Sequence, residues 1–169
     1  GGGGAERVVL NILQHYDRKR HNIYLVVFDC NGPLSDSVPD HVQLICLDRP
    51  RFRQAIFPLL LLLRRLKPDV LFSSVHHCNL ALLALRPFLP GNPKVMIRES
   101  NTPSMSLPSL AYGWALRLGY KFLYPKANRI LCISKLIETE FTRDFDIPDS
   151  ILEPISNPVD VAAIRSASE

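Results

Sequence analysis

The sequence predicts an α/β protein with a Rossmann-like parallel sheet and helices on both faces of that sheet. Short apolar runs rich in β-branched residues alternate with segments whose apolar residues recur at helical spacing. Polar clusters follow several of these runs, as expected where the strands of a parallel sheet end. With 169 residues, 47% hydrophobic and 21% charged, the chain has the composition of a globular protein.

The first four elements follow from periodicity and turn residues. Apolar residues recur on one face over 5–16, which predicts a helix. The β-rich run 23–28 ends at the turn residues of 29–33 and predicts a strand, and 41–47 predicts a second one. A helix is predicted over 52–67, either irregular at Pro58 or beginning there, because proline lacks the N–H that a helix interior needs.

The middle of the chain continues the alternation. Residues 70–74 form an apolar run after a Pro-Asp stop and predict a strand. Residues 80–89 predict a helix that ends at Pro90 and Gly91. Residues 94–98 predict the next strand, and 107–124 a long helix.

The last three elements complete the predicted sheet. Residues 129–133 predict a strand, and Ser134 caps a helix that runs to Phe145. Residues 151–155 predict the final strand. Buried strands joined by helices imply right-handed crossovers and therefore a parallel sheet.

A glycine loop with no strand in front of it opens the chain. Backbone without Cβ atoms lets amide groups approach a ligand closely, and the following helix N-terminus favours an anion such as phosphate. We therefore predict a binding site at Gly2, Gly3, Gly4 and Glu6. Such a loop normally follows the first strand of a parallel sheet, so the sequence is expected to start one element late. The alternatives are a flexible tail, a cloning scar, or a tight turn with a solvent-facing Glu6.

Charge, cysteine spacing and hydropathy limit the partners, the cellular compartment and the membrane topology that the sequence predicts. A net charge of +4 suits a phosphate-rich ligand, an anionic membrane or nucleic acid and does not choose among them. A nucleic-acid partner is not predicted, because no binding module or focused basic face is visible. The four cysteines have no CxxC spacing and are expected to be reduced thiols of a cytosolic protein: Cys30, Cys46, Cys78 and Cys132. The longest apolar run, 59–63, is too short to cross a bilayer.

Five short motifs follow one another along the chain. The first is Gly-Gly-Ala-Glu-Arg, which ends at Arg7, and the others are residues 67–70, 127–130, 133–135 and 155–160. In this order they resemble the N-terminal domain of a family-4 glycosyltransferase of GT-B architecture, over essentially the whole chain. The resemblance implies a Rossmann-like domain over residues 1–156 and the start of an interdomain linker over 157–169.

In that family the N-terminal domain mostly holds the acceptor, and its glycine loop approaches the donor diphosphate. The C-terminal domain holds the nucleotide sugar, usually through two glutamates separated by seven residues. No glutamate here has another glutamate eight positions further on. The resemblance therefore implies one half of an enzyme, inactive alone, that moves a sugar from a nucleotide-diphosphate sugar to a lipid-linked or polysaccharide acceptor with retention. It implies cell-envelope polysaccharide biosynthesis at the inner face of the membrane, with no cofactor beyond the donor substrate.

The polar residues that follow the predicted strands form the predicted acceptor cleft: His76, His77, Glu99, Ser100, Asn101, Ser134 and Lys135. Many family members carry a histidine just after the strand equivalent to 94–98, and this chain departs from that pattern. The alternatives are structural: a helix start at the histidines, a salt bridge between Arg98 and Glu99, and an N-cap at Ser134. A metal site is not predicted, because adjacent histidines on a helix diverge by about 100°.

Two further alternatives stay open. The helical region 107–126 mixes aromatic and basic residues, which suits either peripheral membrane contact or a core-facing helix with a solvated basic edge. The second function class is a non-catalytic Rossmann-like module that binds a phosphorylated ligand or a partner protein. A missing first strand would also expose the sheet and favour a dimer.

Overall fold

The computed structural model describes residues 3–17, 21–30, 37–49, 51–109 and 112–158. The chain forms two compact units, one of residues 1–58 with 157–169 and one of residues 59–156. Each unit contains a parallel sheet, and helices lie on both sides of the sheets. The Rossmann-like α/β class predicted from the sequence is confirmed.

The first unit combines an amphipathic helix with a two-stranded sheet. Helix α1 spans Gly4–Gln14 and buries Val8, Leu10 and Leu13 on one face. Strands β1 (Tyr24–Val27) and β2 (Gln43–Cys46) pair in parallel, with Tyr24 opposite Gln43. The predicted order of helix, strand and strand is confirmed, with strand ends one or two residues shorter than expected.

Two of the four cysteines are paired, so the prediction of four reduced thiols is wrong for Cys30 and Cys46. These two residues form a disulfide with a Cα–Cα distance of 5.9 Å. They meet because Cys46 ends β2 and Cys30 follows β1, its parallel neighbour. Cys78 and Cys132 are free thiols, and burial raises the pKa of each to about 12. Both are therefore protonated, unreactive thiols near neutral pH.

The second unit carries a four-stranded sheet in the order β3-β4-β5-β6, all parallel. Its strands are β3 (Val70–Ser73), β4 (Lys94–Glu99), β5 (Arg129–Cys132) and β6 (Leu152–Pro154). The helices of this part of the chain are α2 (Phe52–Leu66, beginning in the first unit), α3 (His76–Leu85), α4 (Pro103–Ser106), α5 (Gly113–Phe122) and α6 (Lys135–Phe145). All four strands lie where the sequence predicts them.

An aromatic cluster joins α5 and α6 in the core of the second unit. Tyr120, Tyr124, Phe141 and Phe145 are all almost fully buried. The ring centroids of Tyr120 and Tyr124 lie 4.6 Å apart, and Tyr120 meets Phe141 edge to face at 5.3 Å. The Tyr120 and Tyr124 hydroxyls turn towards Glu99 at the end of β4, so this cluster packs beneath the residues that follow β4.

The predicted helix over 107–124 is wrong in its first half. The chain instead forms α4, a 3-10 turn at Leu107–Ser109, and α5 from Gly113 onwards. A Cβ atom on Gly113 would clash with the Leu107 carbonyl oxygen, so these two residues lie closer together than one regular helix would place them. Pro108 also lacks the N–H that a helix interior would use.

One of two further helices differs from the prediction in its starting point, and the other begins where it was predicted. Helix α3 begins at His76 rather than residue 80, because its first turn already packs the buried Asn79 under the sheet. Helix α2 begins at Phe52 and contains Pro58 in its interior. Of the predicted features, Gly2, residues 31–33, residues 110–111 of the aromatic region and residues 159–169 of the linker lie outside the described residues. The predicted domain boundary at residue 156 stays a prediction.

Candidate functional site

A buried hydrogen-bonded network lies where β3 and β4 end. Asn79 on α3 is at its centre and is fully buried. Its Oδ1 accepts from Ser73 Oγ at 2.6 Å, and its Nδ2 donates to the Arg98 carbonyl oxygen at 3.0 Å. The same Nδ2 donates to the Tyr124 hydroxyl at 3.3 Å. One side chain therefore ties together α3, both strand ends and the turn after α5.

Arg98 and Ser74 extend this network. The Arg98 Nη1 donates to Ser74 Oγ at 2.8 Å, and both residues are buried. Burial lowers the pKa of Arg98, and the nearby Glu99 carboxylate acts in the opposite direction. A buried guanidinium close to a carboxylate is the arrangement in which charge is tolerated inside a protein.

Glu99, predicted as a cleft residue, is enclosed, with 1% of its surface exposed. Its Oε2 accepts from the Tyr124 hydroxyl at 2.7 Å. Its Oε1 accepts from the backbone N–H groups of Ser100 and Asn101, at 3.2 and 3.4 Å. Burial raises the pKa of Glu99, although these donors partly oppose the increase. The carboxylate is thus directed to its own loop and not to solvent.

Ser100 and Asn101 begin the short segment that leaves the sheet after β4. The Asn101 side chain is exposed and Ser100 is half-buried. Three residues later, Ser104 donates to the buried Glu140 of α6, from its N–H at 2.8 Å and from its Oγ at 2.6 Å. The predicted polar loop is therefore held at both ends by carboxylates, and it presents an amide side chain to solvent.

His76 and His77 form the first turn of α3, directly after β3. Their rings meet edge to face with centroids 5.2 Å apart. Desolvation lowers the pKa of both, and the charge of His76 lowers that of His77 further. His76 Nε2 is buried and has no hydrogen-bond partner among the described residues. Both imidazoles are therefore neutral at pH 7, able to accept or donate a hydrogen bond.

The remaining two cleft candidates start α6. Ser134 is its N-cap, and its Oγ accepts from the Ile137 N–H at 3.4 Å. The Lys135 side chain is 82% exposed, and its Nζ lies 3.3 Å from Glu138 Oε2. The structural alternative accounts for Ser134, and Lys135 belongs to a solvated ion pair of low energetic weight.

The glycine loop lies in the first unit, at the start of α1. Gly3 has an extended backbone, and its N–H donates to Glu6 Oε2 at 2.7 Å. A Cβ atom on Gly3 would meet only Glu6 Oε2, at 3.7 Å, and one on Gly4 would meet nothing within 4 Å. Packing within the described residues gives no reason for glycine at either position. The backbone of Gly4 is therefore open on its Cβ side, and the Gly3 N–H already has an acceptor in the Glu6 carboxylate of the same helical turn.

Helix α5 exposes an apolar stripe on the second unit. Trp114, Leu118 and Phe122 recur every fourth residue, and Trp114 is 72% exposed. Arg117 and Lys121 lie on one edge of this stripe, and the helix contains no acidic residue. Its opposite face is buried through Leu116 and Tyr120. Helix α5 therefore packs on the core with one face and presents aromatic and basic side chains with the other.

No group of three or more histidine, cysteine or acidic residues is arranged to hold a metal ion among the described residues. None of the described helices is long and apolar enough to span a bilayer.

Comparison with known proteins places the chain in a family. The profile described as Glycosyltransferase Family 4 matches residues 2–163. The chain belongs to glycosyltransferase family 4. The resemblance predicted from its motifs is therefore confirmed. No curated protein sequence matches it.

A solved structure confirms the fold of this family-4 domain. It is the apo form of a lipopolysaccharide outer core galactosyltransferase, WaaB, with a TM-score of 0.66 and 16% identity. The match covers 95% of this chain and 44% of that one. This family-4 chain thus has the fold of one half of a GT-B glycosyltransferase and spans less than half the length of that enzyme.

The sequence analysis missed most of the buried network. Asn79 stands inside an apolar helical run, and a lone amide in such a run indicates a buried polar contact. Tyr124 and Glu140 gave no comparable signal. Tyr124 follows α5 in a 3-10 turn, and Glu140 lies among charged residues of α6, so their inward direction depends on how the helices pack.

Proposed function

We propose that this chain is the acceptor-side domain of a glycosyltransferase that transfers a sugar from a nucleotide-diphosphate sugar with retention. The observation that carries the proposal is the family-4 match over nearly the whole chain. The chain's own geometry supports it, since exposed Asn101 and the neutral histidines lie where β4 and β3 end. The acceptor is a lipid-linked sugar or a polysaccharide of the cell envelope.

In this proposal residues of the two units have separate chemical roles. The N-terminus of α1 favours an anion, and the leaving diphosphate displaces the exposed Glu6 carboxylate from the Gly3 N–H to reach it. His76, His77, Ser100 and Asn101 contact hydroxyl groups of the acceptor. Glu99 shapes the loop beside them and does not contact the sugar. The groups that bind the nucleotide are supplied by a partner domain, and no cofactor is needed beyond the donor substrate.

The proposal includes peripheral contact with the inner, cytoplasmic face of the membrane that would carry a lipid-linked acceptor. The exposed stripe of α5 supports this choice over a purely core-facing helix, because Trp114, Leu118 and Phe122 are left uncovered. Aromatic rings at headgroup level, with cations beside them, are typical of an interfacial helix.

Sugar transfer by the natural polypeptide that carries these residues tests the proposal. We expect incorporation of radiolabelled hexose from UDP-hexoses into a lipid or polysaccharide fraction. We also expect Asn101→Ala to lower incorporation about tenfold, the order of one lost hydrogen bond to substrate. Glu153→Gln is the matched control, since Glu153 is exposed on β6. Absence of transfer from every nucleotide sugar would favour a non-catalytic binding module.

A further inference from the structure

Two buried carboxylates bracket the segment that follows β4. Glu99 accepts the N–H groups of Ser100 and Asn101, and Glu140 accepts the N–H group of Ser104. Pro103 has no N–H, so three of the four N–H groups in residues 100–104 end on these two side chains. Ser104 is the second residue of the four-residue helix α4, and the first N–H groups of a helix have no partner within it, so the acceptor comes from Glu140 of α6.

Each of the two carboxylates is held in place by buried residues of the core. Glu99 is held by the Tyr124 hydroxyl, which in turn accepts from the buried Asn79. Glu140 projects from α6 between Ile137 and Phe141, which are both buried in the core. Glu99 therefore belongs to the end of β4 and Glu140 to the packed helix α6. The segment that hydrogen-bonds to both carboxylates has little freedom to move.

Glu99 and Glu140 also limit which ligands can bind to residues 100–104. A phosphate bound by a loop needs free N–H groups. Three of the N–H groups in this segment already donate to buried acidic side chains, so a diphosphate would find few free donors. A hydroxyl group does not depend on those N–H groups, because the exposed Asn101 amide can both donate to it and accept from it.

We propose that Glu99 and Glu140 are positioning residues that hold segment 100–104 so that Asn101 binds a hydroxyl group of a neutral sugar. This inference rests on the proposed function for the identity of the ligand as the acceptor sugar. It goes beyond it by excluding the diphosphate from this segment and by giving a role to Glu140 and Tyr124. Neither of these residues needs to contact the substrate.

Nuclear magnetic resonance of the labelled 169-residue chain tests the inference without any transfer reaction. The probes are lactose, maltose and sucrose as neutral sugars, and inorganic pyrophosphate as the anion. At least one sugar is expected to shift the side-chain amide signal of Asn101, and pyrophosphate is expected to leave the Ser100 and Asn101 signals in place. Pyrophosphate shifting those signals, or no sugar shifting Asn101, would overturn the proposal.

Variants separate positioning from contact. Glu140→Ala is expected to accelerate hydrogen exchange of the Ser104 amide about tenfold and to weaken binding of the sugar about fivefold. Glu140→Gln retains one acceptor oxygen and is expected to restore part of both effects. Asn101→Ala is expected to weaken binding about tenfold with exchange at Ser104 unchanged. Glu153→Gln, on the exposed side of β6, should change neither quantity.

Two results in the variants would contradict the positioning role. One is an unchanged rate of hydrogen exchange at the Ser104 amide in the Glu140→Ala variant. The other is weakened sugar binding in that variant with no recovery in Glu140→Gln, since that pattern follows from general loss of packing. Failure of the proposed function would be observed separately, as absence of sugar transfer by the natural polypeptide, with the sugar and exchange results left intact.

Discussion

At the scale of single residues, burial fixes the charge of the groups nearest the strand ends. His76 and His77 are half-buried in the first turn of α3, and desolvation lowers the pKa of each. A positive charge at the N-terminal end of a helix is also unfavourable because the helix dipole is positive there. A neutral imidazole can donate to a hydroxyl group and accept from one, whereas an imidazolium ion can only donate, so neutral histidines suit the proposed sugar site.

These shifts predict how stability depends on pH. The unfolded chain binds protons at its histidines more readily than the folded chain, so stability is full above the ordinary pKa of 6.5 and falls as pH decreases through it. We expect the wild type to lose unfolding free energy between about pH 7 and pH 5, and His76→Asn/His77→Asn to lose less. Urea denaturation across this range measures the difference. If the free energy of unfolding of this double variant falls with pH as steeply as that of the control His21→Asn, then His76 and His77 are not the cause of the pH dependence.

At the scale of elements, α5 has two faces with different surroundings. Leu116 and Tyr120 pack on the core, and the stripe of Trp114, Leu118 and Phe122 does not. An exposed aromatic stripe with a basic edge is an energetic liability in a protein that functions entirely in water. Contact with an anionic bilayer would cover the stripe and use the charges of Arg117 and Lys121 together.

The single tryptophan of the chain makes this prediction easy to measure, because Trp114 lies on the stripe. We expect a blue shift of its fluorescence with vesicles containing phosphatidylglycerol and little change with phosphatidylcholine alone. Lys121→Glu should weaken the binding about thirtyfold, since each charge near an anionic surface contributes about 1 kcal/mol and this substitution changes the charge by two. The control Lys94→Glu makes the same charge change at the exposed start of β4. Equal effects of the two variants, or no blue shift, would argue against membrane contact by α5.

At the scale of the whole molecule, local patterns predicted the strands better than the site. The strands were found because each is a short apolar run between turn residues, a signal that does not depend on packing. The break before α5 was missed because it depends on the close approach of Gly113 to Leu107, which helical periodicity does not report. The disulfide between Cys30 and Cys46 depends on the pairing of β1 with β2 and was missed for the same reason.

The strand ends that the polar residues follow were predicted better than the directions of the side chains. Polar residues after strands correctly located the carboxyl edge, where Asn101 is exposed. The inward orientation of Glu99 was not predictable, since it depends on Tyr124, which is 25 residues away in sequence. Sequence order indicates which residues approach the edge, and only packing decides which of them face solvent.

The measurement that tests the central claim most directly is calorimetric titration of the 169-residue chain with a soluble polyprenyl-diphosphate sugar analogue and, separately, with UDP. An acceptor-side domain should bind the sugar analogue saturably and UDP weakly, and Asn101→Ala should reduce only the binding of the analogue. Tight binding of UDP with no response to the analogue, from folded protein, would contradict the account.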